Sequence, residues 1–328
     1  MGGDYLNAAE VLAGCQLLQS QHVHHVQMLT LPEPSHEGRA IAALRLCEDT
    51  KSSVPKRVFM IIGGLHGSEW GSSEIILNLA ADLVQGRANG LSYGELSYSQ
   101  EQVQSVLDGL DLLLVPLANP DGRFFSQTNG EFWRKNRSTM QASSGAGIGV
   151  DLNRNFDHLF AESVQALTSP FYAGPGPLSE PETVNIEALV IDWDPNWFVD
   201  LHSGARCVVY PWSVEQPTFA MPAVDVLAHQ RLGGAYAKAV ETVSGKPIQV
   251  VPGFQFVSAS GTSHDWAYAR ARPPSPTPGE QTATPRERTR AFAIEWSGDP
   301  VPLWFDMQAL MRETAAGLVA MCLAALVP

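Results

Sequence analysis

The stretch Val58 to Leu83, VFMIIGGLHGSEWGSSEIILNLAADL, joins two hydrophobic patterns across a glycine-rich hinge. Val58 to Ile62 is too short for a helix and rich in β-branched and aromatic residues, which predicts a buried strand. Ile75, Ile76, Leu79, Ala80 and Leu83 recur at helical spacing. The hinge Gly63-Gly64-Leu65-His66-Gly67 therefore falls at the strand's carboxyl end, the edge where ligands bind in open α/β sheets. Its glycines let backbone approach closely with no Cβ in the way.

His66 and Glu69 stand three apart where the helical pattern begins, a spacing that puts both side chains on one helix face and lets them converge on one ion. An imidazole and a carboxylate suit zinc, and a catalytic zinc takes three protein ligands and leaves one position open, so a second histidine is expected from elsewhere. Alone, the pair also fits a hydrogen-bonded histidine beside a glutamate favoured by the helix dipole. The rest of the chain has to decide.

At 328 residues the chain can bury a large core, as one large α/β domain or two smaller ones, and no repeat or interior linker splits it. A hydrophobic content of 45% with 17% charged residues argues against general disorder. The 34 acids against 21 bases give −13, which speaks against a nucleic-acid partner. Cys15, Cys47, Cys207 and Cys322 are far apart and form no C-x-x-C pair, which removes thiolate zinc sites and a dense disulfide framework. The N-terminus shows no basic region followed by an apolar one, so a cytoplasmic setting is expected, or a secreted one if a leader was removed. The apolar run Ala315 to Val327 is too short to span a bilayer; a docked terminal helix is expected, and no membrane partner.

In chain order, His22, His24 and His25 read as a solvated helix end, since two of them are adjacent and cannot share a face. Ser35 to Arg39 reads as a turn between strands. Leu110 to Leu117 reads as a second buried strand ending in the turn signal Asn119-Pro120-Asp121-Gly122. In EFWRKNRS, Glu131 to Ser138, three bases crowd beside Trp133, which suits anion binding or a solvated basic turn. Gly149 to Phe156, GVDLNRNF, matches neither helix nor strand period and reads as a loop with hydrogen-bonding duties. Ser179 and Glu182 predict a capping box that opens a helix. The strand-like runs Trp197 to Leu201 and Ala291 to Ile294 end at His202 and Glu295. Strands ending at one sheet edge would gather His66, His202 and Glu295 in one cleft, with Arg134 brought in through a turn. Gly261 to Trp266, GTSHDW, reads as a compact polar turn, and the Pro-rich segment 272–288 as a mobile surface insert, a tolerated insertion in preference to a lid.

Taken together, SHEGR, HGSEW, NPDG, FWRKNR, GVDLNRNF, SEPET, DLHSG, GTSHDW and FAIEW resemble, in order, a zinc metallocarboxypeptidase of the carboxypeptidase A type. The resemblance implies a single catalytic domain over 1–328, an α/β fold with a mixed, mostly parallel eight-stranded sheet and helices on both faces. It implies one zinc per chain held by His66, Glu69 and His202, with Asp151 steadying a ligand imidazole. Glu295 would be the general base, and Arg134 would stabilise the oxyanion. Asn153 and Arg154 would hold the terminal carboxylate of a peptide or small amide substrate, as a planar guanidinium fork suits.

The sequence departs from the digestive enzymes of that family at four positions. Val257 stands where they have a mobile tyrosine, Gly204 where they have a tyrosine after the His-Ser pair, and Glu131 where they have an additional arginine. His264 stands at the base of the pocket for the terminal side chain. Its imidazole offers a donor and can carry a positive charge near neutral pH, so acidic or polar terminal residues are expected there and basic ones disfavoured. Two other readings share parts of the pattern: a zinc amidohydrolase acting on N-acyl amino acids or murein peptides, and a non-catalytic binding module, which should lack a ligand or the base.

Overall fold

The computed structural model describes residues 5–129, 132–139, 149–162, 165–270 and 288–327. Glu131 and, apart from Arg288, the Pro-rich insert lie outside the described residues. In chain order the elements are α1 (Ala8–Gln21), β1 (Val26–Thr30), β2 (Ala42–Leu46), β3 (Arg57–Gly63), α2 (Gly71–Asn89), a hairpin of β4 (Leu91–Tyr93) and β5 (Leu96–Tyr98), and α3 (Gln100–Gly109). There follow β6 (Leu110–Val115), α4 (Pro120–Asn129), α5 (Pro181–Trp193), β7 (Trp197–His202), β8 (Cys207–Tyr210) and α6 (Ala223–Ser244). The chain closes with β9 (Gln249–Pro252), α7 (Ser263–Ala269), β10 (Arg290–Glu295) and α8 (Trp304–Leu326).

Eight strands form one mixed sheet in the order β1-β2-β6-β3-β7-β10-β8-β9. Its centre, β6 to β10, is parallel, as is β8 with β9; β1 with β2, β2 with β6, and β8 with β10 are antiparallel. The central strands read as unbroken apolar runs because both faces are covered. Phe59 and Ile61 of β3 pack with α2, α3, α6 and α8, while Met60 and Ile62 point into a second core with Ile186 and Val190 of α5 and Tyr268 of α7. This is the α/β architecture the sequence implies.

Several local expectations change. Asn119-Pro120-Asp121-Gly122 opens α4 rather than making a free turn: the Asn119 side chain accepts from the Gly122 N–H at 2.8 Å, an N-cap, and Pro120 takes the first helical position. GTSHDW likewise starts a helix, α7. The predicted capping box does not form. Glu180 is the N-cap of α5 and makes no side-chain cap, Ser179 donates to Glu180, and Glu182 is bonded by Asn136. Helix α8 is longer than the apolar run suggests; its 23 residues suffice, by length and composition alone, to cross a membrane. Met307, Leu318, Val319 and Met321 are buried in the main core, however, which is the docked helix expected. The four cysteines are unpaired and buried.

Candidate active site

Strands β3, β7 and β10 lie side by side with their carboxyl ends level. Gly63 pairs with Leu201, and His202 with Glu295. His66 and Glu69 sit in the turn between β3 and α2, not on the helix as the spacing implied. The Glu69 N–H donates to the His66 carbonyl at 3.2 Å, so a tight turn rather than a helix face aims both inward. Gly64 supplies the positive φ of 66° that the turn needs. At Gly67 any Cβ would strike the Gly122 backbone. The Gly67 N–H donates to the Arg134 carbonyl at 3.0 Å, tying this turn to the segment that carries the arginine.

The inner atoms converge closely. His66 Nδ1 lies 2.7 Å from Glu69 Oε1, His202 Nδ1 lies 3.0 Å from Glu69 Oε2, and the two Nδ1 atoms are 3.1 Å apart. All three side chains are buried. Outside them, His66 Nε2 faces Asp151 Oδ1 at 3.2 Å and His202 Nε2 faces Asp200 Oδ2 at 2.8 Å. Each carboxylate calls for a proton on Nε2, which leaves both Nδ1 lone pairs directed at one point beside a carboxylate. Electron-rich atoms so placed repel each other unless a cation sits among them. Two neutral imidazoles and a carboxylate, each imidazole backed by an outer carboxylate, are the donor set of a hydrolytic zinc. The residues present fit that ion.

Asp151 holds the far side of this arrangement. Burial opposes its ionisation, but the Arg134 guanidinium and His66 overcome that and keep its carboxyl well below the usual range. Arg134 donates from Nε to Asp151 Oδ2 at 2.8 Å, which fixes the guanidinium at the cleft edge, 3.8 Å from Glu69. The other bases of that segment turn away: Lys135 reaches the Leu167 carbonyl and Arg137 pairs with Glu37. Asp151 also caps the short 3-10 turn Leu152–Arg154, accepting from the Asn153 N–H at 3.0 Å. This is the hydrogen-bonding loop the sequence predicts.

Glu295 ends β10 beside His202. Its Oε2 is buried without a hydrogen-bond partner. Burial, then the charge of Glu69, pushes its carboxyl up to about 7. A cation held by the triad would draw it back down. All the proposed ligands, Arg134, Asn153, Arg154 and Glu295 line one cleft of about 250 Å³, with Val257, Gly204 and His264 also on its walls. His264 is buried, 2.8 Å from Ser213 Oγ, and desolvation lowers it to about 3. Burial thus works against the positive charge expected of it near neutral pH, and the Asp265 carboxyl 3.5 Å from its Nε2 does not reverse that.

The sequence reading missed two residues. Asp200 alternates with His202 on one strand, so both project to the same face, and that period was the available signal. Phe171 lies over Arg134 and Arg154, and nothing in its local sequence marks it.

An α/β sheet with a His-Glu-His cluster and a glutamate at one edge has the features of a metal-dependent hydrolase. The family model of the zinc carboxypeptidases, Peptidase M14, matches residues 11–300, and the chain belongs to that family. It is similar to a fungal protein named inactive metallocarboxypeptidase ecm14 from Talaromyces stipitatus, at 27% identity over 92% of this chain and 48% of the relative. It is also similar to a metallocarboxypeptidase A-like protein from Trichophyton verrucosum, at 30% identity over 76% of this chain and 56% of the relative. The fold matches the solved carboxypeptidase A from Helicoverpa armigera with a TM-score of 0.77 and 24% identity, covering 98% of this chain and 74% of that one. The chain spans about half the length of the curated relatives it matches.

Proposed function

We propose that this member of the family is an active zinc carboxypeptidase that hydrolyses the C-terminal peptide bond of peptides. The observation that carries the reading is Glu295: a glutamate in register with His202, facing the metal ligands, with one oxygen engaged by no other group. A binding module that had lost catalysis would have no reason to keep a desolvated, unpartnered carboxyl there.

His66, Glu69 and His202 would hold the zinc, which when bound supplies Lewis acidity toward a carbonyl oxygen and toward water. Glu295 takes the proton of the attacking water and returns it to the leaving amine. Arg134, locked by Asp151, meets the carbonyl oxygen as it gains negative charge. Asn153 and Arg154 hold the terminal carboxylate, which orients the scissile bond. His264, Ser213 and Thr262 receive the terminal side chain.

Glu295→Gln should cut turnover by roughly 10²-fold or more while zinc content stays unchanged, because it removes the proton acceptor and no ligand. His202→Ala should lose the zinc. Rates on blocked dipeptides, measured beside N-acetylated amino acids and a murein tripeptide, identify the substrate class. A Glu295→Gln protein that keeps most of the wild-type rate, or a wild type that cleaves only the N-acyl amino acids, would sink the reading.

A further inference from the structure

Away from the cleft, His36 from the turn between β1 and β2 meets Glu180 and Glu182 at the start of α5. Each offers one ligand atom, and these atoms lie within 4.8 Å of one another. His36 Nε2 is 2.8 Å from Glu180 Oε2. The Asn136 amide donates to Glu180 Oε2 at 2.7 Å and to Glu182 Oε2 at 3.1 Å, drawing the two carboxyls together. Both glutamates are wholly buried, whereas His36 reaches the surface and leaves a route in from solvent.

These neighbours leave one oxygen of Glu182 unsatisfied. As a carboxylate it keeps a buried Oε1 with no hydrogen-bond partner. Two buried carboxylates then face at most one imidazolium, leaving a net negative charge out of water, which is costly. As an acid, a proton on Oε1 would find no acceptor.

We propose that His36, Glu180 and Glu182 form a second metal site, for a divalent transition cation such as zinc or manganese. One imidazole and two carboxylates suit such an ion, and its charge cancels the surplus that a proton cancels only in part. The ion would tie the β1–β2 turn to the start of α5 across Asn136, two residues beyond Arg134. The site stands whether or not the cleft is catalytic.

The test is metal stoichiometry by mass spectrometry after dialysis of the full chain against micromolar zinc or manganese. Wild type should bind two zinc ions per chain. His36→Ala should bind one, as should Glu182→Gln and, separately, the His66→Ala/His202→Ala double variant. In the double variant, the remaining ion should raise the melting temperature, and adding His36→Ala should abolish that rise. A wild type whose only ion is lost in the double variant, or a His36→Ala chain that keeps as many ions as the wild type, overturns the proposal. Because His36 lies at the surface, its alanine variant keeps the test decisive even if Glu182→Gln fails to fold.

Discussion

Phe171 lays its ring over two guanidinium groups, 5.4 Å from Arg134 and 5.6 Å from Arg154. One aromatic face thus holds both cations of the cleft, each contact worth about 0.5 to 2 kcal/mol. Phe171→Leu keeps the apolar bulk but loses the ring's quadrupole, and should lower kcat/KM by roughly 3- to 30-fold, with KM rising through Arg154 and kcat falling through Arg134. Phe171→Tyr should restore most of the rate; a leucine variant as active as the tyrosine one would show that only bulk matters. His264 gives a second expectation at this scale. Being neutral, it should favour terminal residues with uncharged side chains, and the Gln-to-Glu rate ratio on blocked dipeptides should hold steady between pH 6 and 8. A ratio that swings toward Glu as pH falls through about 6.5 would mean the imidazole does charge. Asp151, Asn153 and Arg154 were legible because one short loop carries them together, whereas Phe171 acts through space and leaves no local trace.

Helix starts were the elements hardest to read. Asn119 and Thr262 begin segments that sequence reading took for turns, because helix starts and turns favour the same residues; Asn119 caps the Gly122 N–H, whereas Thr262 makes no side-chain cap. At the start of α5 the opposite error arose: Ser179 and Glu182 have the spacing of a capping box, but Asn155 donates to the Ser179 hydroxyl and Asn136 to the Glu182 carboxyl instead. The central strands β3, β6, β7 and β10 were read to within two residues, since a run buried on both faces has few alternatives, whereas β8 and β9 were not read. In α7, Asp265 carries a stability prediction. Burial raises its carboxyl to about 7, with one oxygen unpartnered and the other accepting from the Ser213 N–H. The folded chain therefore holds a proton that the unfolded chain releases above its own value of about 4, so this group's contribution falls as pH rises from about 4 to 7 and is flat above. Across that window the loss is up to about 1.4 kcal/mol per pH unit. Urea midpoints of zinc-loaded wild type and Asp265→Asn should converge at pH 5 and separate by pH 7.5, with the variant the more stable at the higher pH. Parallel pH profiles would refute the assignment.

At the scale of the molecule, α8 and the sheet divide the labour. Met307, Leu318, Val319 and Met321 of α8 are buried against the core, and Gly317 lets the Tyr236 ring of α6 come close. At about 1.5 to 3 kcal/mol for each large side chain, their loss rivals the 5 to 15 kcal/mol that keeps a domain folded. A chain stopped at Pro302 should therefore be insoluble or molten, lacking near-ultraviolet dichroism, although no residue of the cleft is removed. A soluble, cooperatively unfolding truncation would show that α8 is dispensable. The sheet sets the geometry of the chemistry. Because His202 and Glu295 are partners in parallel strands, one strand spacing of about 4.8 Å separates the backbone of the proposed base from that of a proposed ligand. That spacing is common to all sheets and owes nothing to the loops around it. Val257, Gly204 and His264 lie on loops and a helix start, so they can vary without detuning that pair. Under the proposed activity, a lineage or an engineer can therefore change which chain end is accepted by swapping rim segments, while the spacing of Glu295 from His202 is inherited unchanged from the backbone lattice.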